Sequence, residues 1–510
     1  MSVRPPSQAT AIVDLVLEVA DLELFHTADG EPFVLVPAGT HRETWPLRGG
    51  PFRRWIASRF YDAHGKAAGG QALADALQVF EGEALFRGEE HEVHLRVAEQ
   101  EDGDIQIDIA DEFWQTIRVT ASGWEIVPGG AVQFRRPRGM RPLPYPIPGG
   151  NADELREFVN VTDEQWPLVL ACAVAALRPS GPYPVLQLHG EQGSAKSTTA
   201  RVLRALVDPN VAALRSEPRE VRDLMIAARN GWIIGLDNVS TIPIWLSDAI
   251  CRLATGGGFS VRALYSDSDE ILIDVTRPVI VNGIEDLATR GDLLDRSLVL
   301  HLPRIDRYRR EDDFWAAFTE AQPRILGALL DAVVSGLANV NQIELARSPR
   351  MADFAIWASA TEPALGLEPG AFIAAYENNR ADAHELALEA SPLTEPLRTV
   401  ADEGFTGTAT ELLARLGDLV SEEVTRRKSW PKSAHTLGGA LRRIAPDMRA
   451  VGISVVFERT GSRRLLVIGR QQENSVMSVT SVTDESWSDD RRDADDTRIP
   501  TPSLAAEGER

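Results

Sequence analysis

The chain has 510 residues, 44% of them hydrophobic and 25% charged, the composition of a globular protein long enough for about three domains. Its 53 Lys/Arg against 75 Asp/Glu leave a formal charge of −22, which excludes general adhesion to nucleic acid over the whole surface. The two cysteines, Cys172 and Cys251, form no C-x-x-C pair, which excludes a disulfide framework or zinc ribbon and fits a reducing compartment.

The opening MSVRPPSQATAIVDLVLEVADLEL carries acids where a secretory leader needs an apolar core, and the apolar stretch 166–177 is too short to span a bilayer. A cytoplasmic protein with no membrane partner is expected. Residues 1–150 read as an α+β N-terminal domain whose role the sequence does not assign. Helices are predicted over 51–61 and 71–80, and strands at 93–98, 103–110, 115–120 and 123–128. Asp104, Asp108 and Asp111 invite a metal-site reading, but no His or Lys cluster supports it, and they are expected to be solvated strand residues. The region closes on FRRPRGMRPLPYPIPGG (134–150), with four arginines at 135–141. Two readings stand open: a phosphate-neutralising arm, or a linker docked on the protein's own acidic surface.

Over 151–305 the pattern becomes that of a parallel α/β sheet. Short apolar runs at 184–190, 231–237 and 277–283 alternate with helical stretches at 196–207 and 245–255. Residues 306–400 read as helical throughout. Residues 401–470 form a separate basic unit of helix, basic turn, helix and β-hairpin turning at 460–462. Residues 471–510 are acidic and too poor in apolar groups to fold.

HGEQGSAKSTT (189–199) joins an apolar strand to a helix. Gly190 and Gly193 let the loop curl, and Glu191, Gln192, Ser194, Ala195 and Thr198 complete a cradle of backbone N–H donors at the helix start. Lys196 would reach the β- and γ-phosphates of a nucleoside triphosphate, and Ser197 would hold Mg²⁺. Ala195 replaces the second glycine of the usual G-x-x-x-x-G-K-[ST] pattern, which is harmless provided its φ stays negative. Asp237 ends an apolar strand forty-one residues after Lys196, where a carboxylate can orient Mg²⁺. Asn238 stands where a motor ATPase usually has a second acid, and an amide cannot take the proton of the attacking water. Glu191 and Glu285 are alternative bases on loop position alone. Asn282 ends a further buried strand, placed to bridge the γ-phosphate and the water. Arg296, fourteen residues on, is the candidate that neutralises charge in a neighbouring protomer's site, with Arg290 second.

In this order, residues 184–303 resemble the AAA+ core of superfamily 3 helicases, above all the helicase half of phage- and plasmid-type primase-helicases. GEQGSAKS looks like motif A, IIGLDN like motif B and VIVNG like motif C; minichromosome-maintenance helicases carry a similar A-K-S ending. Residues 253–275, with a glycine cluster, Arg262 and Tyr265, look like motif B′. The resemblance implies an AAA+ P-loop NTPase fold, ATP and Mg²⁺ as cofactors, and a homo-oligomeric ring with Arg296 acting in trans. It also implies a hairpin whose Arg262 touches single-stranded DNA in the channel. Asn238 departs from the family pattern and puts fast hydrolysis in question.

Between Arg426 and Arg470 eleven Lys/Arg face only Asp447 and Glu458, net +9. Helices followed by a hairpin describe a winged helix-turn-helix for duplex DNA. Lys432, Arg442 and Arg443 would lie on or beside its recognition helix, and Arg463 and Arg464 on the wing. The expected function is an ATP-dependent DNA helicase or translocase of phage or mobile-element replication. The alternative is a nucleotide-dependent DNA-binding switch that does not unwind, which slow hydrolysis would suit. A small-molecule P-loop kinase is argued against by the sensor strand, Arg296 and the basic C-terminal unit.

Overall fold

The computed structural model describes residues 6–262, 270–283, 291–305, 307–389, 391–460 and 463–471, with the backbone alone at 259–262, 270–273, 386–387, 460 and 463. It begins with α1 (Gln8–Leu17), capped by Ser7, which accepts the Thr10 N–H. The antiparallel strands β1 (Glu23–His26), β2 (Pro32–Ala38) and β3 (His41–Pro46) follow in that spatial order, then α2 (Gly50–His64) and α3 (Gly70–Phe86). Phe52, Ile56 and Phe60 recur every fourth residue, so α2 presents one apolar stripe to Ile12, Val34 and Phe80. The expected helices at 51–61 and 71–80 lie inside α2 and α3. Strands β1–β3 go beyond the expectation, because their short mixed runs carry no clean alternation.

Next come β4 (Val93–His94), β5 (Val97–Glu99), β6 (Ile105–Asp108), β7 (Thr116–Thr120), β8 (Gly123–Val127) and β9 (Gln133–Phe134). Strands β5 to β8 make an antiparallel sheet, and β4 pairs with β9 in parallel. Ile105, Ile107, Ile117 and Val119 belong to a different apolar core from that of 8–86; they pack with residues as distant as Phe318 and Tyr376. The first 150 residues therefore contribute to two cores.

None of the three aspartates is the solvated side chain expected, and Asp108 departs furthest. It is 1% exposed, and Arg136 donates to both its carboxylate oxygens at 3.0 and 2.6 Å. Asp104 pairs with Arg118, and Asp111 accepts the Tyr145 hydroxyl at 2.9 Å. The arginine-rich arm is largely docked on the protein itself. Arg135 donates to the Arg229 carbonyl, and the Ile147 N–H donates to Pro323 O at 2.9 Å. Ile147 O lies only 1.9 Å from where a Cβ on Gly327 would stand, so only glycine admits this approach. Arg138 and Arg141 remain exposed.

The central part runs α4 (Trp166–Ala175), β10 (Val185–His189), α5 (Lys196–Val207), α6 (Val221–Asn230), β11 (Ile234–Val239), α7 (Ile244–Thr255), β12 (Phe259–Arg262), β13 (Glu270–Ile273), β14 (Val279–Gly283), α8 (Gly291–Leu294) and β15 (Ser297–His301). Four of these strands form one parallel sheet in the order β11-β14-β10-β15. Alternation sends Leu186, Leu188 and Ile280 to one face, against α4 and α5, and Val185, Val279 and Val281 to the other, against α6 and α7. Burial on both faces explains why these strands read as unbroken apolar runs. Arg215 adds a parallel bridge on the outer side of β11.

The helices α9 (Glu311–Asn339), α10 (Ala352–Thr361) and α11 (Ala371–Glu389) pack around α4, and α11 also meets β15 at the edge of that sheet. The stretch 311–342 is long and apolar enough to cross a membrane, but half of its most apolar window is buried inside the protein, with Ile325, Leu329 and Val333 in the core. The final part has its own apolar core and runs α12 (Thr394–Glu403), β16 (Phe405–Gly407), α13 (Ala409–Asp418), α14 (Glu422–Arg426), α15 (Ala434–Ala450), β17 (Ile453–Thr460) and β18 (Arg463–Arg470). Its sheet has the order β16-β18-β17. Thr408 with Glu411 and Ser433 with Thr436 form reciprocal capping boxes that start α13 and α15. The tail from 472 lies outside the described residues.

Candidate functional site

The loop between β10 and α5 is shaped by residues that avoid ordinary backbone conformations. Gly190 has φ of 140° and Gly193 of 88°. A Cβ at Gly193 would stand 2.5 Å from the Tyr308 hydroxyl oxygen, but that exposed side chain can move aside, so it is the positive φ that calls for glycine. Ala195 has φ of 63° and ψ of 26°. The expectation of negative φ there is wrong: the alanine occupies the left-handed conformation that its pattern position demands, with a methyl group where glycine costs nothing. That conformation costs an L-residue about 1–2 kcal/mol. It leaves the N–H groups of Lys196, Ser197 and Thr198 ahead of the first intrahelical bond, from Thr199 N to Ala195 O at 2.8 Å.

Lys196 Nζ donates to the carbonyl oxygens of Gly190 and Glu191 at 2.6 and 2.8 Å. Burial lowers its pKa from the ordinary lysine value, opposed by the charge of Asp237. Ser197 Oγ donates to Asp237 Oδ1 at 2.8 Å, and Asn282 Nδ2 reaches Ser197 Oγ at 3.3 Å. Asn282 Oδ1 in turn accepts the Asn238 N–H at 2.7 Å. These residues meet because β14 lies between β10 and β11, so three parallel strands deliver their C-terminal residues to one edge. The pairing of β11 with β14 shifts between Leu236 and Val239, and Asn238 takes φ of 54° within that bulge. Asparagine tolerates this conformation, and the bulge turns its side chain outward, exposed. The hydroxyl and carboxylate oxygens of Ser197 and Asp237 form a hard donor set that suits Mg²⁺. Within the loop, the Ser194 hydroxyl is buried without a hydrogen-bond partner.

A cavity of about 510 Å³ opens beside the loop, with Gly193, Ala195 and Thr198 on its near side. Phe158, Phe314 and Trp315 give it an apolar wall, and Arg307 and Arg309 a basic rim. Its size is that of a small-ligand pocket. Asn160 ties the cavity together: its Nδ2 donates to Ser194 O at 3.0 Å and to Pro303 O at 2.6 Å. Outside the loop itself none of these residues belongs to a sequence motif; the charge run at 304–310 was the one available signal.

Arg296 is placed at the opposite edge. Its carbonyl accepts the Val185 N–H at the start of β10, and its Nη1 donates to Asp292 O at 2.8 Å. Five-residue strands separate it from its own loop by about 15 Å. Strands β12 and β13 form a hairpin with Arg262 opposite Glu270, springing from that same far edge, where Ala254 O accepts the Tyr183 N–H. Only the backbone of Arg262 is described. Tyr265, Glu285 and Arg290 lie outside the described residues. In the C-terminal part, Lys432 precedes α15, Arg442 and Arg443 stand exposed on it, and Arg464 is exposed on β18. Arg442 also stacks over the Phe457 ring at 4.9 Å. Of Arg463, only its pairing with Thr460 is described.

Residues 152–384 match the family described as actinomycete integrative conjugative element replication protein. Residues 393–484 match the AICE RepA C-terminal domain. The chain resembles a replication protein. These two matched segments correspond to the sheet with its covering helices and to the basic C-terminal part; residues 6–151 lie outside both. No curated protein matches the chain. Two apo structures of the NrS-1 C terminal region align with it at TM-scores of 0.41 and 0.39. The first shares 9% identity over 90% of this chain and 98% of that chain; the second shares 10% over 91% and 99%.

Proposed function

We propose that this replication protein is an ATP-dependent DNA motor whose Mg·ATP site is the loop 190–198 together with Asp237 and Asn282. The observation that carries this is the contact chain from Ser197 to Asp237 and from Ser197 through Asn282 to Asn238, at one edge of three adjacent parallel strands. The helix N-terminus and Lys196 would hold the phosphates once Nζ leaves the loop carbonyls. The cavity walled by Phe158 and Trp315 would take the base and ribose. Ser197 and Asp237 would hold Mg²⁺, which when bound neutralises charge on the β- and γ-phosphates.

Arg296 is too far to serve its own loop, so its role in hydrolysis would be in a neighbouring protomer of a ring. The hairpin carrying Arg262 would follow single-stranded DNA. The order helix, strand, three helices and hairpin over 394–470 supports a winged helix, with the exposed Arg442 and Arg443 on the helix that would enter a duplex groove. The test is ATP turnover with and without single-stranded DNA, for the wild type and Lys196→Ala. Stimulated turnover that the variant loses is expected; turnover indifferent to DNA would sink the motor reading. Particle images with ATP and DNA bound test the ring, since monomers would remove the trans role of Arg296.

A second reading, a nucleotide-dependent DNA-binding switch, is favoured by Asn238. Its bulged, outward side chain places an amide where a carboxylate base would stand. Strand-displacement activity separates the two readings.

A further inference from the structure

Helix α2 turns Phe52, Ile56 and Phe60 into the N-terminal core; Arg54 stands opposite that stripe, and Arg53 and Arg59 are exposed on its two flanks. Over 51–66 the charges are these three arginines and Lys66 against Asp62 alone. Arg138, one of the two arm arginines left exposed by docking, joins this face. Arg54 Nη1 and Arg138 Nη2 lie 2.9 and 3.8 Å from the point a Cβ on Gly50 would occupy, so two guanidiniums from separate chain segments converge. Arg59 stacks over the Trp55 ring at 5.1 Å.

The pairing of the other arginines makes this grouping informative. In the same N-terminal part, Arg42 pairs with Glu23, Arg48 with Glu81 and Arg87 with Glu83. Among the described residues, no carboxylate lies within ion-pair distance of Arg53, Arg54, Arg59 or Arg138. Acids outnumber bases 75 to 53 in this chain, so unpaired neighbouring guanidiniums are not a shortage of partners. Like charges held this close repel, and an anion placed between them reverses the sign. The planar guanidinium fork matches phosphate oxygens two at a time, and an aromatic edge beside it suits nucleotides.

We propose that the exposed side of α2, centred on Arg54 and Arg138 and flanked by Arg53 and Arg59, is a DNA-backbone contact of this protein, separate from the basic face of α15. It gives the segment that precedes both family matches a role in holding DNA without reading its sequence.

The test is fluorescence anisotropy of the full chain on a labelled oligonucleotide, single-stranded and as duplex, across a salt series. Arg54→Glu/Arg138→Glu is compared with Arg219→Glu/Arg347→Glu, a pair of the same charge change at exposed positions elsewhere, and thermal unfolding checks that both fold. The proposal expects the first pair to weaken binding about tenfold or more on at least one probe. It also expects the slope of log affinity against log salt to fall by about two. Affinity and slope equal to those of the control pair would overturn it. The same measurement on chains ending at 471 separates a DNA contact from a seat for the acidic tail. An effect of the first pair that persists without the tail supports DNA, and one that vanishes with it assigns the face to the tail and overturns the proposal.

Discussion

The side-chain oxygen of Asn282 accepts the backbone N–H of Asn238 at 2.7 Å. One strand end thereby holds the bulge that follows Asp237 on the next strand, and the same amide reaches Ser197 with its nitrogen. Asn282 is 1% exposed, so both ends of its amide are committed. Under the proposed ATPase function, Asn282→Ala should lower kcat for ATP by about 10²-fold with little change in KM, and it should lower stability by about 1–3 kcal/mol. Steady-state kinetics and denaturant unfolding check the two parts separately.

Ala195→Gly tests the left-handed loop position. Relief of strain of about 1–2 kcal/mol, less the backbone entropy of a new glycine of about 0.5–1 kcal/mol, predicts a net gain near 0.5–1 kcal/mol. Ala195→Val should lose stability, since a branched side chain fits this φ worse. Urea midpoints of the three proteins would order them Gly, Ala, Val.

Asn238→Asp supplies a carboxylate where the outward amide now stands. Aspartate also tolerates φ of 54°, so the bulge should survive. If the missing base limits hydrolysis, turnover rises by about 10²-fold, within the usual range for a positioned base. An unchanged rate places the base elsewhere.

His189 lies under the loop, and burial, then the neighbouring His301 and Lys196, bring its pKa down to about 4. The unfolded chain takes up this proton near pH 6.5 while the folded chain resists until about pH 4. Stability is therefore complete above pH 6.5 and is lost as pH falls from 6.5 to 4, by up to about 3 kcal/mol. His189→Gln should flatten that part of the stability–pH curve relative to the wild type.

Arg442→Ala and Arg443→Ala should each weaken duplex binding similarly across sequences and reduce the salt slope by about one, if they meet phosphates. Discrimination lost at one base position would instead assign that arginine to base reading.

The parallel sheet was legible because strands buried on both faces must be apolar throughout, and 184–190, 231–237 and 277–283 have no other use for such runs. Helix α5 begins at the expected Lys196 and ends at the expected Val207. The hairpin of β17 and β18 was legible from strand runs flanking a Gly-Ser turn. The strands at 23–46 were not, because their burial depends on α2 and α3 rather than on a local alternation. Asp108 was misjudged for the same reason: its partner Arg136 is twenty-eight residues away, and nothing local announces an ion pair.

By itself the sequence determined the order of the chemistry: a glycine-bearing loop, a lysine and serine, then an acid and an amide at strand ends. Those are properties of short segments, where spacing and residue type dictate backbone conformation. Tertiary structure alone decided that β14 lies between β10 and β11, which brings Asn282 to both Ser197 and Asn238. It also put Arg296 at the far edge of the sheet and set Asn160, Tyr308 and Trp315 around the cavity. Strand order and contacts between residues a hundred or more apart arise from the packing of whole faces, which no local spacing encodes.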